Sequence, residues 1–260
     1  MKRNVILLTG AASLLSLSLL FSSCNSKEKE VVATPVDTTA TATEIANDQI
    51  LTSTVLTKAD QDKLTPQDVL NSLKKGNEEF TSDNLTVRNN SVRVREASLG
   101  QFPKVAILSC LDSRVPVEDV FHLGIGDAFV GRVAGNIAND DLIGSLEFAT
   151  KVSGAKLIVV LGHEHCGAVM AAIDGVELGN ITGLLNKIKP AVDGAKAKFD
   201  GDKTSANPAF VEAVCDHNVE LAINQIRTKS PIIKEMESKG EVKIVGGVYD
   251  MTTGKVSFME

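Results

Sequence analysis

The 260-residue chain contains no tryptophan and a single tyrosine, Tyr249. Its four cysteines, Cys24, Cys110, Cys166 and Cys215, are too few and too widely spaced for a disulfide scaffold, so each thiol has to be read for its own chemistry. Excess positive charge is missing as well. Lys and Arg total 27 against 33 Asp and Glu, a net charge of −6, and no basic run or basic-aromatic stripe reverses it, which excludes a nucleic-acid footprint. The apolar poverty of a disordered chain is also absent, since 43% hydrophobic residues suffice for one sizeable core. Nor is there an unbroken apolar run long enough to span a membrane. Val5 to Phe21 follows Lys2 and Arg3 and is diluted by Thr9, Gly10, Ser13, Ser16 and Ser18, so it reads as a secretory signal; a span needs roughly 20 mainly apolar residues.

The end of that signal is more specific. Leu20-Phe21-Ser22-Ser23-Cys24 resembles a bacterial lipobox, in which small residues precede a cysteine that is lipidated and becomes the new N-terminus; Phe21 stands where an aliphatic residue is usual. A conventional signal peptide with an incidental cysteine is the alternative. Residues 24–62 then run through a charged Asn25-Ser-Lys-Glu-Lys-Glu30 and a Thr/Ala-rich stretch with no aromatic residue and no sustained period. They are expected to form a flexible tether, with a short helix near Glu44 to Leu51 as its alternative, because little apolar surface is available to offset the entropy of ordering.

From residue 63 onward the pattern changes to that of one folded domain. Thr65 as cap, Pro66 in the first turn and Asp68 near the positive end of the dipole open a helix whose apolar positions Val69, Leu70, Leu73 and Phe80 carry it to about residue 80. Val105–Ser109, Ala128–Val130, Lys156–Leu161 and Val242–Val245 are short continuous apolar runs, as expected of strands covered on both faces. Helical patterns lie between and after them at about 140–152, 167–174, 181–193, 208–228 and 231–239, with Gly154 and Gly240 placed as C-terminal stops. The alternation predicts an α/β fold with a mostly parallel central sheet and helices on both faces. Such sheets bind ligands beyond the carboxyl ends of their strands, at a switch point.

Two of those strand ends are rich in chemistry. Cys110-Leu-Asp-Ser-Arg114 follows the first, and Gly162-His-Glu-His-Cys-Gly167 follows the third. Cys110, His163 and Cys166 offer two thiolates and an imidazole, a soft set that selects zinc and leaves a fourth tetrahedral position open, as in catalytic zinc sites. Asp112 and Arg114 stand two residues apart in an extended or turning segment, so both can lean to one side as a bidentate pair. Taken singly, each feature has a plainer reading: a buried small cysteine, a surface ion pair. Their convergence on two ends of one sheet favours a site. His165 alternates with His163 and is expected to point away from it as a solvated neighbour, with a proton shuttle as the alternative; His122 and His217 read as structural and Cys215 as a buried helix residue.

From about residue 66 to its end the chain resembles the β-class carbonic anhydrases. The resemblance rests on Cys110-Leu-Asp-Ser-Arg-Val115, Gly126-Asp-Ala-Phe-Val130, Arg132-Val-Ala-Gly-Asn136, Gly144-Ser-Leu-Glu147, Val160-Leu-Gly-His-Glu-His-Cys-Gly-Ala-Val169 and Val245-Gly-Gly-Val-Tyr-Asp250, in the family's order. It implies one zinc per chain, held by Cys110, His163 and Cys166, and reversible hydration of CO2 to bicarbonate by a zinc-bound hydroxide that Asp112 and Arg114 orient. It also implies that Gln101, Phe129 and the backbone N–H of Gly167 line the substrate pocket, and that the enzyme is a homodimer or a higher even oligomer with its pocket at a subunit interface. The helix from Val69 to Phe80 is a candidate docking arm. The family commonly has Arg-Asn at Arg132-Val133 and a tyrosine at Phe148. Some members bind an inhibitory bicarbonate through a tryptophan, an arginine and a tyrosine. Arg132 and Tyr249 match, but Ile107 stands at the tryptophan position, so that regulation is not expected here. Two thiolate ligands should leave a zinc-bound water less acidic than three neutral imidazoles would, so activity is expected to favour alkaline pH.

Rival readings are weaker. A thiol redox protein would carry Cys-x-x-Cys, which is absent, and a metallo-β-lactamase-like hydrolase would continue His163-Glu-His165 as x-Asp-His. A non-enzymatic zinc- or bicarbonate-binding relative would carry the same ligands, and activity alone separates it. The N-terminal reading places the protein in the cell envelope, anchored by lipid on the periplasmic side or the cell surface, with no other membrane contact. Cys24→Ser should therefore move the protein from the membrane fraction to the soluble fraction. A wild-type chain that is not marked by a fatty-acid analogue and fractionates as soluble would contradict the anchor.

Overall fold

A run such as Leu157-Ile-Val-Val-Leu161 hides its side chains completely only as a strand packed on both faces, and that is where the computed structural model places it. The structure describes residues 55–84 and 89–259; the signal, Cys24 and most of the expected tether lie outside the described residues. Strands β1 (Val105–Ser109), β2 (Ala128–Arg132), β3 (Leu157–His163) and β4 (Lys243–Tyr249) are parallel, and β5 (Val256–Met259) pairs antiparallel with β4, giving the order β2-β1-β3-β4-β5. The helices are α1 (Lys58–Lys63), α2 (Pro66–Thr81), α3 (Asn90–Ala97), α4 (Val117–Val120), α5 (Asp140–Glu147), α6 (Gly167–Asp174), α7 (Gly179–Leu185), α8 (Lys189–Lys198), α9 (Pro208–Lys229) and α10 (Pro231–Ser238).

The expected α/β architecture is present, with alternate residues of each strand serving opposite faces. Ala106, Leu108, Ile158, Val160 and Ile244 meet α5, α9 and α10 on one side. Val105, Ile107, Leu157, Val159 and Val245 meet α2 and α4 on the other. Helix α9 crosses the sheet closely because glycines lie beneath it: a Cβ on Gly162 or Gly246 would come within 2.7 Å of a Val219 methyl. A third cluster, built by α6, α8 and α9 around Ile188, Phe210 and Val214, closes over the strand ends and includes Cys110, Cys166 and Cys215.

Several expectations need correction. Residues 58–62, assigned to the tether, form most of α1. Thr57 caps it, and the side-chain amide of Gln61, fully buried, donates to the carbonyls of Pro103 and Ser153 at 2.8 Å each. The single helix expected at 181–193 is two, because Pro190 lacks an N–H and clashes with the carbonyl four residues back; it can open α8 but cannot continue α7. The pattern at 140–152 is α5 followed by a π-helical turn over Phe148–Val152. Helix α2 is no free docking arm, since Val69, Leu70 and Leu73 are spent on its own sheet. Gly154 and Gly240 do end their segments, with φ of +82° and +71°. The order 2-1-3 makes the crevice between β1 and β3 the switch point, so Cys110 and His163 emerge side by side at its carboxyl end.

Candidate metal centre

The parallel pairing of β1 with β3 sets Ser109 opposite Leu161, so the residues that follow each strand leave the sheet together. Cys110 Sγ, Cys166 Sγ and a ring nitrogen of His163 lie within 4.8 Å of one another, all buried, and they are the one such group among the described residues. The two sulfurs are 4.0 Å apart. Two thiolates on a tetrahedral zinc, at about 2.3 Å each, would be about 3.8 Å apart. His163 Nδ1 donates to the carbonyl of Glu164 at 2.8 Å, which leaves Nε2 as the nitrogen with a lone pair to give. That Nε2 is buried and has no hydrogen-bond partner. An orphaned acceptor facing two thiols fits a soft divalent cation.

Charge points the same way. Hydrogen bonding with Cys166 pulls the Cys110 thiol well below its ordinary range against the effect of burial, with help from His163 and from the Gly135 N–H, 3.4 Å from the sulfur. The same contact with a thiolate, together with burial, pushes Cys166 up. The two sulfurs compete for one negative charge, and a bound dication is what allows both to ionise.

Asp112 stands at the open side. Arg114 donates from Nε to Oδ1 at 2.9 Å and from Nη2 to Oδ2 at 2.8 Å, and its backbone N–H adds a third bond to Oδ1 at 2.9 Å. These bonds hold the Asp112 carboxyl well below the usual carboxylate range despite its partial burial. Its Oδ2 is 3.9 Å from His163 Nε2, next to the position a metal would take. Gly167 opens α6 directly after Cys166, and a helix leaves its first-turn N–H groups without intrahelical partners.

The structure thus brings Cys110, His163, Cys166, Asp112, Arg114 and Gly167 together. It does not bring Gln101 or Phe129 to them within one chain. Gln101 is exposed and precedes β1, at the far end of the sheet from Cys110, and Phe129 lies opposite Ala106, three residues or about 10 Å short of Ser109. His165 is exposed, with φ of +49°, and meets the site only through its carbonyl, which accepts from Arg114 Nη2 at 3.3 Å. His122 bonds the Asn84 carbonyl and His217 pairs with Glu220, both away from the cluster. Sequence spacing missed Glu164, whose N–H donates to Tyr249 O and whose carboxylate accepts from Met251 N, tying the ligand loop to the end of β4. It also missed the contacts of Arg132 and Gly135 around Cys110, which depend on the pairing of β2 with β1.

Known proteins resemble this chain throughout the region. The model of the family described as carbonic anhydrase matches residues 105–256. Carbonic anhydrase 2 of Mycobacterium tuberculosis is 33% identical over 190 residues, covering 71% of this chain and 88% of the relative. Among solved structures, the Coccomyxa β-carbonic anhydrase in complex with acetazolamide superposes with a TM-score of 0.58 at 25% identity, over 73% of this chain and 83% of that one. One of the tetrameric β-carbonic anhydrases of Sordaria macrospora does so with a TM-score of 0.57 at 25% identity, over 64% and 85%.

Cys110→Ala should abolish stoichiometric zinc binding, because two remaining ligands cannot fix the ion, whereas Cys215→Ala should keep it. Metal analysis of the purified variants checks this; a Cys110→Ala protein that retains one zinc per chain would remove Cys110 from the ligand set.

Proposed function

The chain belongs to the β-class carbonic anhydrase family, zinc-dependent lyases, and on that premise we propose that it interconverts CO2 and bicarbonate with Asp112 and Arg114 as its catalytic dyad and with a second copy of the chain completing each pocket. The observation that carries this reading is the Asp112 carboxylate, held by Arg114 on both oxygens while Oδ2 stays 3.9 Å from the orphaned nitrogen of His163. Zinc bound by Cys110, His163 and Cys166 supplies a Lewis acid that brings the pKa of a bound water toward neutrality.

The chain's own residues do the rest. Asp112 stays ionised through the neutral range because Arg114 favours its charged form, so it has no proton to give and can only accept one. Arg114 takes up part of the carboxylate's accepting capacity, and the remaining lone pairs are free to hold the proton of the nucleophilic water and so aim its oxygen at CO2. In this reading the N–H of Gly167, in the first turn of α6, donates to an oxygen of the nascent bicarbonate. Leu111, exposed between Cys110 and Asp112, offers apolar surface at the mouth.

The remaining pocket residues support the dimer. Gln101 and Phe129 are too far along the sheet to serve their own Cys110, but a neighbouring copy can present them. The outer edge of β2 has no partner strand among the described residues, and beside it Phe129, Leu142 and the half-exposed Phe148 line an apolar cleft of about 340 Å³. An unpaired edge next to an apolar cleft suits isologous association. The signal sequence and Cys24 support a place for this activity in the cell envelope.

Asp112→Asn should keep its zinc and lose roughly 10²- to 10⁴-fold in kcat, the usual worth of a positioned proton acceptor. The amide also presents a donor where an acceptor is needed. Stopped-flow hydration of CO2 with parallel metal analysis checks this. An Asn variant running at the parent rate would show that the acceptor is another group.

A further inference from the structure

The reaction as derived leaves Arg132 unused, although its guanidinium lies across the segment that carries the dyad. As the last residue of β2 it is in register with Ser109, one residue before the first ligand. Its Nε donates to the carbonyl of Cys110 at 3.0 Å and its Nη2 to the carbonyl of Asp112. We propose that Arg132 is a positioning residue that clamps the Cys110–Asp112 segment and thereby keeps the Asp112 carboxylate on Arg114 and off the metal; the proposal rests on the dyad reading above.

Beyond the buried Cys110 side chain, little else holds the Asp112 end of that segment. Between the end of β1 and α4 the backbone has neither helix nor strand, and Leu111, 60% exposed, anchors nothing in the core. The carbonyl of Asp112 accepts one further bond, from Val115 N–H at 3.2 Å. The Asp112–Arg114 pair fixes the carboxylate on the guanidinium, but the Arg114 side chain is itself more than half exposed, so the pair does not tie the segment to the core. A divalent ion beside His163 Nε2 attracts the same carboxylate strongly, and Oδ2 is already 3.9 Å from that nitrogen. A small shift of the segment or a side-chain rotation therefore decides whether Asp112 accepts a proton from the nucleophile or becomes a fourth ligand and closes the site. The planar fork of a guanidinium can hold two carbonyls two residues apart, which the single ammonium of a lysine cannot do with the same geometry.

Cobalt(II) in place of zinc gives a direct readout, because its visible spectrum changes when a small anion such as azide takes an open coordination position. The cobalt-loaded parent should respond to azide. Arg132→Ala should still take up one metal, lose about 10- to 100-fold in kcat, the usual worth of a group that orients a metal site from outside, and no longer respond to azide because Asp112 holds the fourth position. Arg132→Ala combined with Asp112→Asn should respond again, since the amide is a poor ligand; a merely structural role for Arg132 would not be relieved this way. Should Arg132→Ala not fold, Arg132→Lys, with a single donor nitrogen, should give the same pattern in weaker form. An Arg132→Ala protein with the parent's azide response, or a double variant that stays unresponsive, would overturn the proposal. A parent that binds cobalt but ignores azide would instead overturn the open-site reading beneath it.

Discussion

Two sulfurs and an imidazole nitrogen are packed into one dry corner of this protein, and the rest of the site follows from what that costs. Cys110 and Cys166 are buried 4.0 Å apart, so either becomes a thiolate only at the other's expense, while His163 turns a buried nitrogen with no partner toward both. Unpaired polar and charged groups in an apolar setting are costly. A divalent ion satisfies all three at once and supplies the charge that lets both thiols ionise. The parallel register of β1 and β3 fixes two of the ligands, and the turn into α6 brings the third.

Around that rigid centre the proposed catalytic pair sits on softer ground. Asp112 and Arg114 belong to a loop with no helical or sheet bonding, so their position depends on side chains: Arg114 on the carboxylate and Arg132 on the carbonyls. Under the proposed mechanism the division is useful chemically, because metal ligands need fixed distances whereas a proton acceptor close to a cation must be kept from becoming a ligand itself. It also ties the site to β2, whose outer edge is the open side of the sheet.

Much of this was legible in the sequence, for identifiable reasons. Lys156–Leu161 reads as a buried parallel strand because a continuous apolar run has few other places to go, and two chemically loaded turns after two such runs converge once the sheet is parallel. Strand β5 escaped because Val256-Ser-Phe-Met259 is short and mixed, and its pairing depends on the turn after Tyr249. Helix α1 escaped because its sequence, Lys58-Ala-Asp-Gln-Asp-Lys63, is polar, and its buried contact is the side-chain amide of Gln61, which no apolar pattern announces. The contacts of Arg132 depend on strand pairing, 22 residues away in sequence from Cys110, and no local pattern encodes them. The far placement of Gln101 and Phe129 is likewise a property of sheet register: each residue was recognisable, but only the register shows that one chain cannot bring them to its own Cys110.

The dependence of the chemistry on the buried cluster is tested most directly by adding zinc stepwise to metal-free protein while following the hydration of CO2. The account predicts negligible rate without zinc and a linear rise that stops at one equivalent per chain. Full hydration activity in the metal-free chain, or a chain holding one zinc in this cluster with no activity toward CO2, would contradict it.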